Sequence, residues 1–307
     1  MTSGPAVPGI PDRFAEFPRA LATQTRLVRL GGADAPGGAD SIPALIAHPD
    51  WATPAPVMLW FHGRTVQKEL DPGRYLRWIR AGIAAVAVDL PGHGERLEPS
   101  LHTPPRSLDL FEQGVREVDV ILRSLREGPF AGVLDLSRVG IGGMSAGGMI
   151  TLMRLCEPHT FACAAVEGAT GWLDALYYPE ETGVGPPRAA PSTHSRERIV
   201  RIDPMNRLGG WASVPLLALH SEADRLVPWA GMKRFLDAVR ERYAETGSDA
   251  ARIRAVTWPE TGAPDEHSGF GRFSNDAKNT QTEFLVQYLR QSARPAGTSP
   301  EARPAAR

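Results

Sequence analysis

Apolar residues along this chain fall into short runs rich in β-branched and aromatic types. Residues 25–30 and 42–48 read as a leading hairpin, and 57–61, 83–89, 138–142, 162–167, 214–221 and 253–258 are nearly unbroken apolar stretches. A strand that is apolar on both sides belongs inside a sheet covered on both faces, which is the pattern of parallel strands. Between these runs lie longer stretches with apolar positions three and four apart, predicting helices over 73–81, 109–126, 146–156, 229–243 and 276–291. The order is therefore an antiparallel start followed by repeated strand–helix units. It predicts an α/β architecture with a mostly parallel eight-stranded sheet and helices on both faces.

Three segments depart from that rhythm. Residues 1–20 are punctuated by Pro and Gly and read as an arm laid on the surface, while 292–307 have the composition of a disordered tail, leaving 21–291 as the folded domain. Residues 170–208, aromatic at one end and rich in Pro and Gly in the middle, separate two strands by about forty residues. An insertion of that length inside a regular fold usually forms a lid or a binding loop.

Composition narrows the function classes. Of the 307 residues, 34 are Lys or Arg and 35 Asp or Glu, a net charge of -1, so no field favours a polyanion and nucleic acid is not an expected partner. The densest apolar runs, 57–61 and 83–88, are too short to cross a bilayer, and the N-terminus lacks the basic and apolar regions of a secretory signal. No membrane association and a cytoplasmic location are expected. Cys156 and Cys163 are the sole cysteines, too few for a disulfide framework or a metal site, and read as structural. Lys occurs at positions 68, 233 and 278 and Arg carries the other positive charges, a bias that suggests a GC-rich bacterial genome.

The chemistry concentrates around Gly143-Met144-Ser145-Ala146-Gly147. This G-x-S-x-G sequence follows a predicted strand and opens a predicted helix, the context in which a tight turn lifts a serine hydroxyl to the sheet edge. A serine at neutral pH needs a base and an orienting acid, and in such a fold these follow in the order acid, then histidine. Asp224 stands just beyond the strand at 214–221, and His267 lies in a Gly- and Pro-rich loop after the strand at 253–258. Glu167, ending the strand at 162–167, is the alternative acid. His62, His93 and His220 also fall at strand ends, where bracing of loops is the expected role. The oxyanion hole is expected from the main-chain N–H groups of Ala146 and Arg64, the latter just past Gly63 in the loop after 57–61. The Arg64 side chain has two readings: contact with an anionic substrate group, or an ion pair or solvation, with Glu69 the nearest partner in sequence. Trp172, Leu173, Leu176, Tyr177 and Tyr178 are the candidates for substrate contact from the insertion.

The set HGRTVQKE at 62–69, DLPGHGER at 89–96, GGMSAGG at 142–148, HSEADRLVP at 220–228 and the late His267 resembles the α/β-hydrolase superfamily. Within it the likeness is to small bacterial serine esterases of the dienelactone-hydrolase and prolyl-oligopeptidase-like branch, over about residues 40–290. The resemblance implies a Ser145, Asp224, His267 triad, an oxyanion hole from Ala146 and Arg64, and no cofactor. Dienelactone hydrolases use Cys where this chain has Ser145, and no propeller domain precedes the core, so the expected substrate is a small carboxylic ester and not an oligopeptide. An amide or short-peptide hydrolase, an acyltransferase and a non-catalytic binding protein are the competing readings.

Overall fold

Alternation within the buried strands sorts the interior into two layers, one on each side of a single sheet. The protein is described by a computed structural model over residues 17–31, 41–184 and 191–290. Its strands are β1 (Thr25–Leu30), β2 (Ile42–Ala47), β3 (Ala55–Phe61), β4 (Ala84–Val88), β5 (Leu134–Met144), β6 (Cys163–Glu167), β7 (Leu216–Ser221) and β8 (Ile253–Trp258), ordered β1-β2-β4-β3-β5-β6-β7-β8 across the sheet. β2 runs antiparallel to β1 and β4, and the other pairings are parallel. Every residue of β3, β4, β6 and β7 is buried, as strands covered on both faces require.

The helices are α1 (Arg19–Ala22), α2 (Pro72–Arg80), α3 (Ser107–Glu127), α4 (Ala146–Arg154), α5 (Leu173–Tyr177), α6 (Pro179–Thr182), α7 (Arg196–Ile202), α8 (Trp229–Glu245) and α9 (Ser274–Leu285). Successive residues of a strand point to opposite faces. On β3, Val57, Leu59 and Phe61 accordingly pack with residues of α3, α4 and α8, whereas Met58 and Trp60 pack with those of α1, α2 and α9. α2 begins where the Asp71 carboxylate accepts the Arg74 N–H and Pro72 supplies a preset first turn. The helix predicted over 276–291 starts two residues earlier and finishes in a π-helical turn at Val286–Arg290.

Two features differ from the sequence expectation. β5 begins at Leu134 rather than at 138, because the ladder jumps: Pro56 faces Asp135 but Val57 faces Val139. The residues between are polar, and Asp135 binds the Ser137 hydroxyl and the Arg138 guanidinium locally, which hides the strand from an apolar pattern. The insertion between β6 and β7 contains α5, α6 and α7, and Asp203 at the end of α7 ties it to α5, its buried carboxylate accepting the N–H groups of Leu173 and Asp174 and also that of Met205. The arm expected over 1–20 lies largely outside the described residues, as do the tail at 292–307 and part of the insertion. Of the arm's described end, Phe17 is buried and Arg19 opens α1. No helix among the described residues is long and apolar enough to cross a membrane.

Candidate active site

β5 ends at Met144 and α4 starts at Ala146, so Ser145 must reverse the chain in one residue. It does so at φ 51° and ψ −116°, a region that a residue with a Cβ rarely adopts. The turn is held by the Ser145 N–H donating to the Glu167 carbonyl at 2.8 Å and by the Met149 N–H donating to the Ser145 carbonyl at 2.9 Å. It also needs glycine on its inner side: a Cβ at Gly147 would stand 2.2 Å from the Phe61 carbonyl oxygen, so α4 lies directly against the end of β3. The Ser145 hydroxyl thereby projects at the C-terminal edge of the sheet.

Three residues of distant sequence meet at that edge. His267 Nε2 lies 2.8 Å from Ser145 Oγ, and His267 Nδ1 lies 2.7 Å from Asp224 Oδ2. With Nδ1–H donating to the carboxylate, Nε2 is the lone-pair nitrogen that accepts the serine O–H. Asp224 is fixed in turn, its Oδ1 accepting the N–H groups of Leu226 at 2.9 Å and Val227 at 2.8 Å. Burial alone would raise the Asp224 carboxyl, but hydrogen bonding from His220, His267 and the Val227 N–H outweighs it and holds the group below the usual carboxylate range. His220 braces the same turn by donating from Nε2 to the Val227 carbonyl at 2.8 Å. The histidine loop has an anchor that sequence reading missed. Glu266 accepts from the Thr261 N–H and hydroxyl, the Gly262 N–H and the Ser221 hydroxyl, and the Thr261 N–H first among them lowers its carboxyl to about 2. Asp265, Glu266 and Phe270 around His267, and Thr65 in the loop after β3, join Ser145 at positive φ.

That loop after β3 starts with His62 and Gly63. A Cβ on Gly63 would be 3.6 Å from the Ser145 Cβ, so the Gly63–Arg64 peptide borders the nucleophile. His62 Nδ1–H donates to the Gly63 carbonyl at 2.6 Å, while its Nε2 accepts the Leu90 N–H at 3.0 Å. Burial drives the His62 imidazole well below its ordinary range, which keeps it neutral, and the Gly63 carbonyl and Leu90 N–H select this tautomer. Because a trans peptide is planar, pinning the Gly63 C=O turns the Arg64 N–H the opposite way. Behind the loop, Lys68 is buried with its ammonium 2.8 Å from Asp89, 2.7 Å from Glu95 and 3.0 Å from Glu69. The ion pair between Arg64 and Glu69 does not form. Lys68 takes Glu69, and the Arg64 guanidinium donates to the His102 carbonyl.

Glu167 is engaged elsewhere. It accepts both terminal nitrogens of Arg74, at 2.5 and 2.8 Å, and the Gln281 amide at 2.9 Å, forming a buried cluster that links β6 to α2 and α9. The Arg74 guanidinium also lies over the Trp60 ring, 4.4 Å from its centroid. Neither oxygen of Glu167 bonds His267.

A cavity of about 1060 Å³ opens on Ser145, Ala146 and His267. Phe111, Met149, Leu176 and Tyr177 supply apolar wall, and Asp71, Arg74, Glu167 and Lys278 also line it. Of the five insertion residues expected to contact substrate, Leu176 and Tyr177 line this cavity, whereas Trp172, Leu173 and Tyr178 do not. Leu173 is fully buried in the core, Tyr178 donates its hydroxyl to the His194 carbonyl, and Trp172 lines a separate small crevice. The spacing of short helices decides this, and an aromatic count cannot.

The model of the prolyl oligopeptidase family matches residues 111–292, more than half of the chain. This chain belongs to the prolyl oligopeptidase family. This member of the family is a serine hydrolase with the α/β-hydrolase fold. It is 23% identical over 198 residues to the candidate esterase YitV of Bacillus subtilis, covering 62% of this chain and 76% of that protein. Among solved structures it is similar to TT1662 from Thermus thermophilus (TM-score 0.62, 20% identity, 87% of this chain and 98% of that one). It is also similar to a puromycin-hydrolyzing peptidase of Mycobacterium tuberculosis (TM-score 0.65, 18% identity), covering 90% of this chain and 41% of the peptidase. The esterase Pf2001 of Pyrococcus furiosus aligns at TM-score 0.62 and 15% identity over 88% and 94% of the two chains.

The Arg74–Glu167 pair generates a prediction about stability. Glu167→Gln removes the charge facing a buried guanidinium and should cost about 3 kcal/mol, the low end for breaking a buried pair, because Asp71 remains beside Arg74. Urea unfolding measures it; an unchanged midpoint would show that Asp71 suffices.

Proposed function

We propose that this family member is a serine carboxylesterase acting on small esters through an acyl-enzyme. The observation that carries the reading is the unbroken hydrogen-bonded series from Ser145 Oγ through His267 to Asp224, at 2.8 and 2.7 Å, opening on a largely apolar cavity. Ser145 Oγ attacks the ester carbonyl while His267 Nε2 takes its proton, and Asp224 stabilises the imidazolium that results. The Ala146 N–H at the start of α4 and the Arg64 N–H, turned by His62, receive the oxyanion. His267 then protonates the leaving alcohol, and a water activated by the same nitrogen releases the acid. The likeness to YitV over 76% of its length supports ester over amide. The peptidase relatives make amide cleavage the outcome to exclude.

Matched p-nitrophenyl esters and p-nitroanilides test the reading directly; faster turnover of the anilides would make the protein an amidase. Ser145→Ala should lower kcat on a good ester by about 10⁴ to 10⁶ and abolish labelling by a fluorophosphonate. Asp224→Asn should cost about 10⁴, through the wrong imidazole tautomer.

His62 offers a sharper test of the oxyanion hole. Asparagine places its amide N–H where Nδ1–H stands and should keep kcat within about tenfold. Glutamine cannot reach the Gly63 carbonyl from that side and should lose about 10² to 10³ in kcat with KM little changed, as for removal of one oxyanion donor. Equal loss in both variants would place the role of His62 in packing alone.

Tyr177→Ala enlarges the cavity and should shift preference toward longer acyl or alcohol chains, whereas Trp172→Ala should not. A chain-length series read by kcat/KM distinguishes them, and a shift confined to Trp172→Ala would reverse the assignment.

A further inference from the structure

The charges that line the cavity do not balance. Asp71, Arg74, Glu167 and Lys278 compensate one another: Arg74 bonds Asp71 and Glu167, and Lys278 lies 2.9 Å from Asp71. The remaining charged side chain of the wall is Arg64, and among the described residues it has no carboxylate partner. Among the described residues its side chain makes one hydrogen bond, to the His102 carbonyl, a neutral acceptor, and its Nε–H is buried without a hydrogen-bond partner. A guanidinium offers five N–H donors in a planar fork, so most of this one is uncommitted. Arg64 adjoins Gly63, whose own Cβ would lie 3.6 Å from that of Ser145, so the backbone that carries the uncompensated side chain borders Ser145, and Arg64 lines the same cavity.

A half-buried cation without a counter-charge is costly, and the wall supplies no acid to offset it. A carboxylate delivered by a ligand would do so through charge-assisted hydrogen bonds to the terminal guanidinium nitrogens. We infer that the Arg64 side chain is an anion subsite of the esterase site, and that the preferred substrates are esters carrying a free carboxylate, such as half-esters of dicarboxylic acids. The inference rests on the esterase reading for its chemistry and on the cavity's charge inventory for its specificity. It separates two functions of one residue: the main-chain N–H of Arg64 serves the oxyanion, and its side chain selects the substrate. If the guanidinium merely tied its loop to the His102 loop, its loss would disturb the neighbouring peptide and penalise neutral and anionic esters alike.

The test is a ratio. One arm compares monoethyl adipate with ethyl hexanoate, which have the same chain with and without the acyl-side carboxylate. The other compares the butyrate ester of γ-hydroxybutyrate with butyl butyrate, placing the charge on the alcohol side. In at least one arm the wild-type protein should favour the anionic ester in kcat/KM by about tenfold or more, the scale of a charge-assisted hydrogen bond. Arg64→Met should lower that ratio by about tenfold, chiefly through KM, and Arg64→Lys should restore part of it. A wild-type preference for the neutral ester in both arms, or a ratio unchanged in Arg64→Met, overturns the inference. Calorimetry on Ser145→Ala separates this outcome from failure of the esterase reading. Monoethyl adipate or the butyrate ester of γ-hydroxybutyrate should bind Ser145→Ala about tenfold more tightly than it binds the Ser145→Ala, Arg64→Met double variant. Equal binding of both esters to the two variants rules out the subsite even if no ester is turned over.

Discussion

The contact between the end of β3 and the first turn of α4 fixes the geometry of everything at the sheet edge. With 2.2 Å between a would-be Gly147 Cβ and the Phe61 carbonyl oxygen, no side chain can separate the two backbones. Ser145 sits just before α4 and the loop carrying the Gly63–Arg64 peptide leaves directly from Phe61, so their separation is set by backbone packing alone. The proposed acyl transfer needs that kind of rigidity, because misplacement of reacting groups by an ångström costs rate heavily.

Around this contact the protein uses buried charge as scaffolding. Lys68 with Asp89, Glu69 and Glu95 lies on one side, and Arg74 with Asp71, Glu167 and Gln281 on the other. Such clusters give little net stability, since each charge must be desolvated first. Their directional demands are strict, and here those demands tie the loops after β3 and β4 to each other and join β6 to α2 and α9. Two loops whose backbones would otherwise be free to shift become parts of one frame.

Much of this was legible in the sequence. The inner strands could be read because β2, β3, β4, β6 and β7 are buried on both faces, and the placing of Ser145, Asp224 and His267 at one sheet edge because strand ends and chain order limit where such groups can stand. The start of β5 was not, since Asp135, Ser137 and Arg138 satisfy one another locally and break the apolar pattern. Which carboxylate meets His267 was ambiguous between Asp224 and Glu167: Asp224 bonds its ring, and Glu167 is engaged by Arg74, 93 residues away. Pairing of Arg64 with Glu69, under one of the two readings of that side chain, does not form for the same reason: Lys68 is adjacent to Glu69 and is drawn inward by Asp89, 21 residues on. Which of the insertion's aromatic residues face the cavity depends on how α5 turns against the core, and no local signal encodes that rotation.

Among the described residues, five of the six non-glycine residues at positive φ, Thr65, Ser145, Asp265, Glu266 and Phe270, lie in the three loops that converge on the cavity. Each such conformation costs about 1–3 kcal/mol, carried by the surrounding packing. Heat resistance could therefore be raised by glycine at Thr65 or Asp265, where the left-handed backbone would no longer be strained. Glycine would also enlarge what those loops can sample when unfolded, opposing the gain. The site is thus the region where selection for durability and selection for turnover pull hardest against each other, and thermophilic relatives would be expected to differ from this chain there before they differ in the core.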